Sequence, residues 1–235
     1  MRRNTGMAAV AAAALATMLG GGTAIAATGS VAQSHSAIFA GYSVTKPTAH
    51  VKHVTATFVV PTISCRNSFS GVGPSVLVYS NVKPKSVDHL TSGAGLGVAC
   101  EHTNPIYESV AIVNNKAFND LTLQAGDIVA VSVRVVPSAT TVKITDTTTG
   151  ESRTRTGRGH TATQTWVGDN SVVVDGVSGK LDPFTPTHVE DVLVNAHPLG
   201  SERPTRYQWI RKGTTLVSAS GLTSGEDFTL TFQHS

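Results

Sequence analysis

Between residues 53 and 61 the chain alternates: Val54, Ala56, Phe58 and Val60 share one parity, Thr55 and Thr57 the other, and Pro61 ends the run. A two-residue period of this kind marks a half-buried strand. The pattern is clearest in "GDIVAVSVRVVP", where Val129, Val131, Val133 and Val135 predict one face and Ala130, Ser132 and Arg134 the other. Val142 and Ile144 continue it in "TTVKITD", and the Thr149-Gly150 step predicts a hairpin into a strand around Arg153 and Arg155, whose side chains are expected to decorate an exposed face. The runs "SVLVYS" and "IYESVAIV" predict interior strands, and "VEDVLVNA", "RYQWIRK", "TTLVSA" and "DFTLTFQ" predict further ones. No stretch holds a helical period over three turns. Many strands separated by Gly, Pro, Asn and Asp turns predict an all-β protein, an antiparallel two-sheet β-sandwich.

The first residues do not belong to this pattern. Arg2 and Arg3 precede the apolar run "MAAVAAAALATML" and the small residues of "GGTAIAATGS", which reads as a signal peptide over residues 1–26, cleaved after Ala26 or Ala27 and too short to span a bilayer. Residues 27–38, small and polar, are expected to be a flexible lead-in, and residues 39–235 one domain. Without the two arginines, the 18 basic residues become 16 against 15 acidic ones. This near-neutral balance excludes a nucleic-acid partner on electrostatic grounds. A secreted monomer with no membrane span and no cofactor is expected. The two cysteines, Cys65 and Cys100, lie in the exported part, where a disulfide persists. A reactive thiol would need a neighbouring base that the sequence does not identify.

Motifs that carry chemistry are mostly absent. There is no His-Glu-x-x-His helix, no Gly-x-Ser-x-Gly elbow and no P-loop, and nine scattered histidines offer no metal-ligand spacing, so no metal is expected. "GAGLGV" at 93–98 lacks the last glycine of a dinucleotide fingerprint and reads as a closely packed β segment. Carboxylates remain: Glu101, Glu108, Asp169, Asp175, Glu190 and Asp191 lie in or beside predicted strands. A pair from different strands could serve as acid and base.

The order of several short motifs resembles the eqolisins, the glutamic endopeptidases typified by scytalidoglutamic peptidase. "FAGYSVT" is similar to the family's Trp-x-Gly-Tyr opening, and "VTATFVVPT" to its Phe-x-Val-Pro strand end. "LQAGDIVAVSVRV" with "DTTTGESRT" is similar to its Gly-Asp strand and Thr-Thr-Gly hairpin. "TWVGD", "HVEDVLVNA" and "GTTLVSASGLTSGEDFTLTF" resemble the later parts of bacterial members. The resemblance implies a jelly-roll, concanavalin A-like sandwich of curved sheets. It also implies a site in which a glutamate takes a proton from water while a glutamine amide donates to the developing oxyanion.

At those positions this sequence differs. The family's Leu-Gln-x-Gly falls on Leu90, Thr91, Ser92 and Gly93, so Thr91 stands at the glutamine position. Its Trp-x-x-Glu falls on Trp166, Val167, Gly168 and Asp169, so Asp169, one methylene shorter, stands at the glutamate position. Ser80 and the segments around Val76 and Val110 replace aromatic and acidic residues of the family's cleft. Ser80, Ser92, Trp166, Val110 and Ile112 are the expected cleft lining, with Asp169 and Thr91 facing each other across one concave sheet. Read alone, Asp169 in "GDNS" is equally a turn residue accepting backbone hydrogen bonds.

Three functions follow. The substitutions favour a protein that retains the sandwich, is impaired in catalysis and binds a peptide or protein, a glycan or an envelope component. A divergent acid endopeptidase would use Asp169 as base with Thr91 or Ser92 as donor. A carbohydrate-binding or carbohydrate-active protein rests on fold analogy alone.

Overall fold

The computed structural model describes residues 31–46, 48–66, 70–79, 90–101, 103–170 and 181–233. The segment 1–26 expected to be a signal peptide, Ser80 and Asp175 lie outside these residues. The strands are β1 Ala32–Ser36, β2 Phe39–Thr45, β3 His53–Val59, β4 Ser70–Tyr79, β5 Leu90–Glu101, β6 Asn104–Val113, β7 Lys116–Thr122 and β8 Ile128–Val136. They continue with β9 Ala139–Asp146, β10 Ser152–Arg158, β11 Gln164–Asn170, β12 Thr187–Val194, β13 His197–Pro198, β14 Thr205–Arg211, β15 Thr214–Ala219 and β16 Phe228–Phe232. Among the described residues the only helical turn is a 3₁₀ turn, Leu199–Glu202.

The strands form a ladder in the order β10-β9-β8-β3-β12-β16-β15-β14-β2-β11-β4-β5-β6-β7. It folds back at β15 and β14, so that β5 and β6 lie over β8 and β9, and β4 over β3 and β8. The two layers of the expected sandwich are thus halves of one continuous ladder: a back layer running from β10 to β16 and a front layer from β2 to β7. Every pairing along this path is antiparallel.

The alternation read from sequence sets the core. Val129, Val131, Val133 and Val135 on β8, with Val142 and Ile144 on β9, are buried against Val76, Val78, Ala94, Leu96, Ala111 and Val113 of the front layer. The small residues at 94 and 111 let the layers approach. A methyl carbon added to Gly93 would come within 2.6 Å of the Val76 carbonyl oxygen, which accounts for "GAGLGV" as a packed strand.

Two expectations need correction. The polar stretch 27–38 contains β1, which runs parallel to β14 with Ala32 opposite Thr205 and Ser36 opposite Trp209. It carries no apolar alternation because ladder hydrogen bonds come from the backbone and require no side-chain pattern. Arg155 is half-buried rather than a surface ornament. Its Nε donates to Asp120 Oδ1 at 2.8 Å, and its guanidinium lies 4.7 Å from the Phe118 ring centroid. The ion pair holds β10 to β7 across the open end of the sandwich.

Cys65 and Cys100 form a disulfide with their Cα atoms 5.6 Å apart, tying the segment after β3 to the end of β5.

Candidate functional site

The outer face of the front layer can be followed row by row through the ladder. One row runs Ser43, Trp166, Leu77, Gly93, Ile112 and Ala117. The next runs Gly41, Gly168, Ser75, Gly95, Val110 and Asn119. Residues directly opposite in a ladder share a face, so Trp166, Val110 and Ile112, three of the expected cleft residues, share one face and are partly exposed, whereas Gly41, Gly93, Gly95 and Gly168 in the same rows are buried.

Two of these glycines permit a close backbone approach. Gly41 and Gly168 are opposite each other with φ of +142° and +150°. A Cβ on Gly168 would fall 2.2 Å from the Ala40 carbonyl oxygen, and one on Gly41 would fall 2.3 Å from that of Val167. Only glycine satisfies both the torsion and the contact.

At one end of this face stands an aromatic group. Trp166 stacks on Tyr207 with centroids 5.3 Å apart, and Phe39 lies 4.6 Å from Trp166 and 5.8 Å from Tyr207. Aromatic side chains are thus gathered on this face from β2, β11 and β14, although the positions at 76–80 and 109–113 are mostly aliphatic. Phe39 was readable in "FAGYSVT". Tyr207 was not, because only the pairing of β14 with β2, Tyr207 opposite Gly41, brings it there.

Asp169 lies on the other face. Its ladder partners are Ala40 and Pro74, Ala40 belongs to the buried core, and Asp169 is 2% exposed. Ser92, opposite Val78 and Val113, is also on this inner side and fully buried.

Thr91 falls in the register irregularity where Val78 pairs with Ser92 and Tyr79 with Leu90. Asp169 pairs with Pro74, four to five positions along β4, a separation of roughly 15 Å at about 3.3 Å per residue. The structure does not bring the two positions together.

Other polar groups do reach the outer face. Glu108, opposite Gly97, has the parity of Val110 and Ile112, and its Oε2 accepts a 2.6 Å hydrogen bond from Asn119 Nδ2. Gln164 has the parity of Trp166, and its Oε1 is buried without a hydrogen-bond partner among the described residues. Sequence alternation could have placed Glu108 with Val110. These groups lie at opposite corners of the face: Glu108 is in the Gly97 row, and Gln164 is level with Tyr79 and Leu90. A carboxylate and an amide acting on one carbonyl must both come within about 3 Å of the reacting atoms. No such pair is assembled among the described residues.

One group there has cation-ligand spacing: Asp191, Glu226 and Asp227 offer oxygens within 4.8 Å of one another. It lies where the β12 irregularity meets the turn before β16, and the Asp191 amide donates to Asp227 Oδ1 at 3.0 Å.

Comparison with known proteins agrees with this architecture. Scytalido-glutamic peptidase bound to a transition state analog inhibitor is similar to this chain at 15% identity and a TM-score of 0.63, covering 85% of this chain and 100% of the other. SCP-B, a member of the Eqolisin family of peptidases in complex with the tripeptide Ala-Ile-His, is similar at 13% identity and a TM-score of 0.60, with the same coverage. No curated protein matches by sequence. At these identities the structural likenesses establish the fold, and the family pattern described as the Peptidase A4 family matches residues 37–185. This chain belongs to the Peptidase A4 family, the eqolisins.

Proposed function

We propose that this protein is a secreted eqolisin-type sandwich that binds peptide on the outer face of its front layer and does not hydrolyse it at a significant rate. The observation that carries this reading is the placement of Asp169. It is 2% exposed in the row of Ala40, roughly 15 Å along the ladder from Thr91. A general base must reach the water it activates, and a carboxylate in the inner layer does not meet a substrate lying over Trp166.

Peptide is the ligand class favoured by the family and by the tripeptide seen on SCP-B. Trp166 and Tyr207, stacked on each other, and Val110 and Ile112 of the same face are partly exposed and offer an apolar surface to an extended chain, while Phe39 and the glycines of the same rows are buried beneath them. Secretion is supported by the amino-terminal signal pattern and by the disulfide.

The test is incubation of the purified mature protein with a denatured protein at about pH 2 to 5, the range in which a carboxylate base of this kind works. No cleavage is expected. Peptide binding, followed by isothermal titration calorimetry, is expected to weaken about tenfold in Trp166→Ala. Robust digestion abolished by Asp169→Ala would instead establish a divergent endopeptidase.

A further inference from the structure

The outer face of the back layer, on the far side of the molecule from Trp166, carries a second feature. A hollow of about 460 Å³ is lined by Lys52, His53, Ser132, Arg134, Val136, Thr141, Lys143 and Thr154. It continues through the shared Ser132 and Lys143 into a smaller hollow of about 270 Å³, where Thr55, Thr57 and Thr145 add further hydroxyls.

The charge of the larger hollow is one-sided, while the smaller one ends at Asp191, which belongs to the acidic group with Glu226 and Asp227. Three cations and no carboxylate line the larger hollow, and a single acid, Asp191, lines the smaller. Among the described residues, ion pairs form at Lys46 with Glu202 and at Arg155 with Asp120, so Lys52, Arg134 and Lys143 have no carboxylate within bonding range. All three are exposed.

The ladder sets their spacing. Arg134 is opposite His53 and Thr141, and Lys143 is opposite Ser132. Arg134 and Lys143 are therefore diagonal neighbours, about 7–8 Å apart at their bases. Ser132 Oγ lies 2.8 Å from His53 Nε2, which fixes that donor-rich floor between them.

We propose that this trough binds a polyanionic glycan, a polysaccharide bearing repeated carboxylate or phosphate groups. A concave surface with cations of one sign concentrates anions, and the surrounding threonine and serine hydroxyls match a hydroxyl-rich chain. An acidic peptide fits less well for two reasons. β8 and β9 are paired on both sides, by β3 and β10 as well as each other, so no edge is open for strand addition. The larger hollow has one apolar lining residue, Val136, and so offers no pocket for a peptide's hydrophobic side chains.

The experiment measures retention of the purified protein on immobilised polygalacturonate, phosphomannan and neutral dextran at low and high salt. Binding to one or both charged polymers, lost at high salt and absent on dextran, is expected, and the polymer retained distinguishes carboxylate from phosphate recognition. Lys143→Glu and Arg134→Glu, both exposed and away from the core, are expected to weaken binding about tenfold each. Lys212→Glu, an exposed charge on the β14–β15 turn, is expected to leave it unchanged. The proposal is overturned by any of four results: no binding to either charged polymer, equal binding to dextran, equal loss in Lys212→Glu, or tighter binding of polyglutamate. None of these outcomes depends on whether the Trp166 face binds or cleaves peptide.

Discussion

Gly41 and Gly168 illustrate how single residues support the candidate peptide face. Both occupy torsions that L-residues rarely adopt, and each backbone occupies the space where the other's side chain would be. Gly168→Ala is expected to destabilise the fold by about 3 kcal/mol, because neither strand can move without breaking the β2–β11–β4 ladder. Chemical denaturation of the variant measures this, and an unchanged midpoint would show that the approach is not needed. Neither the glycine's role nor Asp169's inward position was legible from the motif "TWVGD". Alternation places Asp169 with Val167 and opposite Trp166, but only the ladder shows that Val167 faces the second layer.

At the level of elements, hydrophobic alternation located most strands and assigned faces on β3, β8 and β9 correctly. It failed where the signal was backbone pairing alone, as in β1, or a mostly polar strand, as in β7 with its sequence KAFNDLT. The disulfide acts at this scale. It joins residues 35 apart, linking the segment that follows the back-layer strand β3 to the end of β5 in the front layer. Closing a loop of that length restricts the unfolded chain, so the Cys65→Ser, Cys100→Ser double variant is expected to lose about 3 kcal/mol. The difference in denaturation midpoint between this variant and the parent, at equal slope, measures that loss.

For the whole molecule, acid is the informative stress. Burial pushes the imidazoles of His53 and His160 below their ordinary value of 6.5, with the Arg134 charge adding to the effect at His53. The unfolded chain therefore takes up these protons first, and stability present above about pH 6.5 declines as pH falls toward the folded values.

Asp146 adds a second loss at lower pH. Burial alone would raise its pKa, but the Thr149 hydroxyl and the amides of Thr148 and Thr149 outweigh it, holding the carboxylate below 3.8. Its contribution is present above 3.8 and is lost as pH falls through the folded value. The melting temperature is expected to fall from pH 7 to pH 5 and again below pH 4. A midpoint that rises on acidification would contradict this and would favour a molecule adapted to work in acid.

The sequence alone determined the strand-rich class, the two-layer packing, the disulfide partners and the family pattern, because alternation, composition and cysteine count are local or additive properties of the chain. Tertiary structure decided which residues share a surface. Non-local pairing brought Tyr207 to Trp166, turned Asp169 inward, separated it from Thr91 and gathered Lys52, Arg134 and Lys143 on the opposite side. Register and layer contact are set by the whole ladder at once, and no segment read by itself contains them.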